Sequence, residues 1–149
     1  MAAIVGRKGS AQMYMHDGEN QTLTIADRLA NLVTFEAPNP ETTDIDVTDF
    51  DSDGKEFEPG TIEYGESTFE QHLTDSEYED MMTRVQSQDK VTTAYFIVKK
   101  DGTTLAVGRK GNAYVKACQL NNIEIDGAFS VTTTLKWTGA TSTTTLPSA

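Results

Sequence analysis

The stretch VTTAYFIVKKDGTTLAVG, Val91 to Gly108, decides how this chain folds. Two segments rich in β-branched and aromatic residues flank Asp101-Gly102, and Asp-Gly between such segments is the strongest short signal for a β-hairpin. A type I′ turn, with positive φ at both turn residues, is the connection this dipeptide favours. Outward from the hairpin the period of two continues. AYVKACQLNNIEI and AFSVTTTLKW are separated by Asp126-Gly127, a second turn, and Val131, Thr133, Leu135 and Trp137 share a face opposite Thr132, Thr134 and Lys136. Toward the amino end, Met13 and Met15 alternate with Gln12 and Tyr14, and Leu23 alternates with Ile25. Such alternation predicts half-buried antiparallel strands, so the fold class is mainly β, an antiparallel β-sandwich or barrel-like subunit.

One segment breaks the period. Tyr78, Met81, Met82 and Val85 fall at i, i+3, i+4 and i+7 and make one apolar helical stripe, predicting a flanking α-helix over about residues 75–87. Thr74 as N-cap with Glu77 forms a capping box, Leu73 is placed to staple onto Tyr78, and Arg84 near the end suits the helix dipole. The methionine stripe is read as core packing against a sheet rather than as a groove for a partner. TIADRLANLVTF, from Thr24, fits either a helix or a short helical turn followed by a strand. Residues 36–60 read mostly as connection with one short strand at DIDVT, and a loop of that length is usually functional or disordered. From Thr138 the low-complexity TGATSTTTLPSA reads as a flexible tail, giving a domain over 1–137 and a tail over 138–149. Trp137 and Phe50 fit core or contact positions equally well.

At 149 residues the chain fits one domain with one core. No stretch approaches the roughly 18 consecutive apolar residues that would span a bilayer, so no membrane anchor is expected. The amino end MAAIVGRKG lacks a signal peptide's apolar region, so synthesis in a cytoplasm is expected. Cys118 is the single cysteine, which excludes an intrachain disulfide, and it reads as a small buried residue on a strand. The net charge is −11, but residues 36–80 alone hold 16 Asp and Glu against one Lys. An acidic chain repels nucleic acid, because phosphate binding depends on Lys and Arg. DNA is therefore a poor candidate for a tight ligand, though not for a guest passing through a conduit.

Motifs that carry chemistry are few. Asp49, Asp51, Asp53 and Gly54 match the first half of an EF-hand loop, where alternating carboxylates wrap Ca²⁺. The match then fails: position twelve is Gly60 where a bidentate glutamate belongs, and Pro59 stands where a helix should begin. These three aspartates are thus a weak calcium candidate, with a turn whose side chains bond their own backbone as the alternative. His16 and His72 are not spaced as a metal pair and have no glycine-framed nucleophile. No glycine-rich phosphate loop precedes a helix. The expectation is a protein without catalytic residues or cofactor. A near-repeat remains: VGRKGSA at Val5 and VGRKGNA at Val107 place Arg7-Lys8 and Arg109-Lys110 between glycines. It is read either as coincidence or as two loops presenting cations on one face to an acidic partner.

The order of these features carries a resemblance. IDVTDFDSDGKEFEPG from Ile45, preceded by TIADRLANLVTFEAPNPETTDIDVT and followed by EFEPGTIEYGESTFEQHL and VTTTLKWTG, resembles the signature of bacteriophage major tail proteins, the tail tube family of long-tailed phages. The resemblance covers roughly residues 22–138 and rests on the combined order of the fragments, each of which is common alone. It implies a β-sandwich with one helix at its side and six copies per ring. Inner sheets would join into a continuous barrel, and rings would stack into a tube through which DNA leaves the virion. It further implies tape measure, tail terminator and distal tail proteins as partners, assembly in the bacterial host cytoplasm, and a final location in the virion tail. Under this reading the contacts between subunits fall on Arg7, Lys8, Asp44, Asp46, Asp49, Asp51, Asp53, Arg109 and Lys110. The competing reading is a calcium-dependent β-sandwich module for adhesion or binding.

Overall fold

A computed structural model of the chain describes residues 3–4, 6–99, 101–121 and 124–147. Eight strands and one helix follow in the order β1 (Ala11–Asp17), β2 (Leu32–Phe35), β3 (Glu41–Asp46), β4 (Phe57–Glu63), β5 (Glu66–His72), α1 (Glu77–Ser87), β6 (Lys90–Val98), β7 (Leu105–Leu120) and β8 (Ser130–Thr143). Six of them make one antiparallel sheet in the order β1-β6-β7-β8-β5-β2, while β3 and β4 pair only with each other. The sheet curls until its two terminal strands approach. Leu29 N donates to Met13 O at 2.8 Å and Arg28 bridges Tyr14, so the segment leading into β2 reaches back to β1 and pins one end of the seam.

The period of two explains where the core sits. Met13 and Met15 of β1, Phe69 of β5, Val91 and Tyr95 of β6, Ala113 and Val115 of β7, and Leu135 and Trp137 of β8 all point inside the curl. Tyr95 sets its ring edge-on to Trp137 at 6.0 Å, and the Trp137 indole N–H donates to Ser67 Oγ at 2.7 Å, satisfying the one polar atom that the ring carries inward. Met81 is the buried residue of α1 and joins this cluster, with Val85 and Cys118 packed against it, so the Met81 and Val85 part of the stripe packs on the core. Cys118 lies half-buried on β7, and that burial pushes its thiol pKa up. A smaller cluster, Tyr14, Leu23, Ala94 and Phe96 with Leu146, covers the outer face of β1 and β6.

Several expectations shift. The Asp101-Gly102 hairpin stands between β6 and β7, but only Gly102 takes a positive φ. Asp101 Oδ1 instead accepts the N–H groups of Thr103 and Thr104, and these bonds, with one from the Thr104 hydroxyl, draw its pKa down to about 2. The loop is therefore an Asp-capped turn longer than type I′. At the second turn Asp126 takes the left-handed conformation and Gly127 does not. TIADRLANLVTF resolves into a 3₁₀ turn at Ile25–Asp27 and the strand β2. Helix α1 begins at Glu77, two residues later than expected, because the Glu77 carboxylate reaches back to the N–H groups of Thr74 and Asp75 and to the Thr74 hydroxyl.

The expected tail meets a strand. Thr138–Thr143 continue β8, with Arg109 paired to Thr143 and Lys110 to Ser142. A bulge at this point lets Gly139 adopt φ +74 and turns Thr141 inward, over the glycine at position 111. Threonine favours strands wherever one face can pack, which low complexity conceals.

Candidate assembly surface

The acidic segment read as connection is a hairpin arm. In β3 and β4, Glu41 pairs with Glu63, Thr42 with Ile62, Asp44 with Pro59, Ile45 with Glu58 and Asp46 with Phe57, with a bulge between Thr42 and Asp44. From Glu41 through Glu63, both included, there are nine carboxylates and one lysine. Neither strand is paired with the sheet, and almost every residue in them is exposed. Ile45, Phe57 and Ile62 are each more than half exposed, and Phe50 at the tip is fully exposed. A monomer leaves single apolar residues uncovered routinely, but several together on a two-stranded ribbon mark a contact surface.

Local bonding fixes the tip. Asp46 Oδ1 accepts from Thr48 N at 2.9 Å, and these Thr48 bonds hold the Asp46 carboxyl below its usual range. Asp49 Oδ1 accepts from Asp51 N at 3.0 Å, and the Ser52 hydroxyl lies within reach of Asp49 Oδ1 and Glu56 Oε2. Lys55 lies 3.8 Å from Asp46 Oδ2, an exposed pair of small energetic weight. Asp49 thus spends its carboxylate on its own turn, and among the described residues no group of three His, Cys, Asp or Glu converges to hold a metal ion. Asp44, Asp51 and Asp53 form no ion pair among the described residues.

The four candidate cations divide. Arg7 and Lys8 lie in an exposed turn closed by Ser10, whose N–H and hydroxyl both donate to Arg7 O. Arg109 and Lys110 do not lie in a loop. They are central residues of β7 paired with Tyr95 and Ala94, and successive strand residues point to opposite faces. Arg109 is held within the chain, its guanidinium donating to Thr141 O at 2.9 Å and Thr141 Oγ1 at 2.9 Å across the β8 bulge. Lys110 lines a hollow with Leu23, Phe96 and Leu146. The two copies of the near-repeat therefore occupy different structures, since the second is enclosed by partner strands and the first is not. His16 donates its Nδ1–H to Asp27 Oδ1, 2.9 Å away, and links β1 to the 3₁₀ turn.

Sequence reading missed a cleft of about 820 Å³ between the sheet's two terminal strands. It opens beyond the pinned Met13–Leu29 end of the seam, with the Gly6–Ala11 segment on one wall and Arg28–Phe35 on the other. Arg7, Lys8 and Arg28 supply its charge, and Leu32, Val33, Phe35 and Ile97 its apolar lining. No pattern in the chain announces it, because its walls come from segments 17 or more positions apart.

No protein-family model matches the sequence, and neither does any curated protein sequence. Solved structures do match in fold. A chain of the SPP1 tail tube aligns over 96% of this chain and 81% of its own at a TM-score of 0.66 and 11% identity. A chain from the sheath-tube complex of an extracellular contractile injection system, PVC, in its extended state aligns over 90% and 88% at 0.68 and 12% identity. A chain from the tail of an empty GTA particle aligns over 94% and 99% at 0.63 and 12% identity. Along nearly its whole length this chain shares the fold of these chains from tail and tube assemblies.

Proposed function

We propose that the protein is a structural tail tube subunit that assembles with copies of itself. Six copies form a ring, and stacked rings form a hollow conduit through which DNA is ejected. The observation that carries this reading is the β3–β4 arm, whose apolar residues have nothing of their own fold to cover them. A second copy supplies that cover. Ring closure would also pair the strand edges that an isolated curled sheet leaves open, and stacking requires two ring faces that differ, which the concentrated acid of residues 36–80 provides. Carboxylates facing the lumen would repel DNA and let it slide. A tape measure, a terminator and a distal tail protein are the further partners this role requires, the virion tail is its place, and it needs neither cofactor nor catalytic residue.

Negative-stain microscopy of the purified protein at rising concentration tests the proposal. Rings or rods of uniform diameter are the expected result. A species that stays monomeric at high concentration, and whose melting temperature rises with Ca²⁺ and falls with chelator, would replace it with the calcium-dependent module.

A further inference from the structure

We infer that the cleft between β1 and β2 is the receptor for the arm tip of a second copy of this chain, with Phe50 as the inserted anchor. The inference rests on the self-assembly proposed above and adds which surface meets which. Three observations carry it.

The first is charge. Arg7, Lys8 and Arg28 line the cleft, all three are exposed, and none forms an ion pair among the described residues. The tip offers Asp49, Asp51 and Asp53 around Phe50, likewise without partners of opposite charge. Each surface repels its own kind and attracts the other, which fixes the pairing as arm to cleft. The second is shape. Phe50 is fully exposed on a narrow ribbon, and the cleft has an apolar floor of Leu32, Phe35 and Ile97 with room for an aromatic ring. An aromatic anchor in a pocket surrounded by charge is the usual form of an energetic hot spot.

The third is topology. β1 and β2 are the terminal strands of the sheet, so each presents one unpaired edge to the cleft beyond the pinned end of the seam. A segment entering there can accept and donate main-chain bonds to both. The chain's own arm does not fill the site, since no residue from 36 to 63 lines it. The ladder from Glu41 to Asp46 carries the tip about 20 Å from the arm's base. Because arm and cleft are different patches, the contact is heterologous, and a heterologous contact repeats from copy to copy into a ring or a filament instead of stopping at a pair.

The test uses the full chain with Cys118→Ser, in two separate variants, Gly54→Cys, beside the retained Phe50, and Val33→Cys. Both positions are exposed and the anchor stays in place, so neither change disturbs the core or Phe50. On mixing under mild oxidation, a disulfide-linked heterodimer is expected as the main product. Asp51→Lys with Asp53→Lys, whose carboxylates hold no bond of the tip, should abolish the cross-link and raise the concentration needed for rings or rods about tenfold or more. Arg7→Glu with Lys8→Glu should do the same, and mixing the two charge-reversed proteins should restore both. Rings that form without the heterodimer, or without rescue by the mixture, would overturn the inference and leave the tube subunit standing. A cross-link within one chain of a dilute Gly54→Cys, Val33→Cys double variant would also overturn it. A heterodimer that forms while no ring ever appears would uphold the inference and remove the tube.

Discussion

The curled sheet and the arm are built from the same kind of secondary structure, yet they obey opposite rules. In the sheet most strands alternate, β6 being buried on both faces, and the inward residues, from Met13 to Trp137, are shielded from water. In the arm Ile45 stands beside Glu58 and Phe57 beside Asp46, with both faces wet. The sheet is stabilised by burial at roughly 25 cal/mol per Å² of apolar surface, whereas an isolated two-stranded hairpin is marginal in water. Bonds local to the tip, from Thr48, Asp49 and Ser52, hold the arm in shape. One region therefore owes its stability to its own chain, and the other reserves its apolar surface for a second molecule.

The largest effect that separates the two regions should come from the core. Phe69 is fully buried on β5, and Phe69→Ala removes a large side chain that its neighbours cannot replace, a loss of about 3–5 kcal/mol. Chemical denaturation of dilute protein should show the midpoint fall with little change in slope. If Phe69→Ala left the midpoint where it was, the interior of the curl would not be the core and the contrast with the arm would collapse.

Next in size is the buried indole. Trp137→Phe preserves most of the ring but deletes the donor that meets Ser67 Oγ at 2.7 Å, leaving a buried hydroxyl without that partner. A loss of about 1–3 kcal/mol is expected in the same measurement. Adding Ser67→Ala to Trp137→Phe should recover part of it, because removing both partners costs less than stranding one. A double variant no better than the single one would assign the loss to packing instead.

The contrast also explains what the sequence disclosed. Elements that bury one face write a period into the chain, so the β6–β7 hairpin, the β8 strand face of Val131 to Trp137, and the Met81 stripe of α1 could be read directly. Elements that bury neither face write no period, and the arm was legible only as an acidic stretch with one short strand. Phe50 and Trp137 stand alike in sequence and take opposite fates, because burial is decided by distant strands. Arg109 was a reasonable candidate for an intersubunit contact by composition, yet the β8 bulge that captures it is invisible in a run of threonines. The cleft left no local trace, since it is the gap between the first and last strands of a curl.

Helix α1 lies between these extremes, and pH can probe it. Glu77 is partly desolvated, which alone would raise its pKa. The bonds it accepts from the Thr74 hydroxyl, the N–H groups of Asp75, Glu77 itself and Thr74 outweigh that and lower it to about 2 from 4.5. A folded pKa below the unfolded one means a contribution fully present above about 4.5 and lost as the pH falls toward about 2. Glu77→Ala should cost about 1 kcal/mol at neutral pH, as capping losses do, and the difference from the parent should shrink as acid protonates the parent's Glu77. A difference that stayed constant across that range would mean the carboxylate's charge plays no part in the cap.

The smallest expected effect on folding is the most demanding test of the comparison. Phe50 is as large as Phe69 and as apolar, but it touches water on every side. Phe50→Ala should therefore leave the denaturation midpoint of the dilute protein within about 0.5 kcal/mol of the parent, the usual range for surface positions. The same variant should fail to form rings or rods at concentrations where the parent forms them. A side chain silent in the monomer and required for assembly places its energy between molecules. If Phe50→Ala instead destabilised the dilute monomer by as much as a core truncation does, the tip would be folded against its own chain in solution, and the division between a self-sufficient sheet and a reserved arm would be wrong.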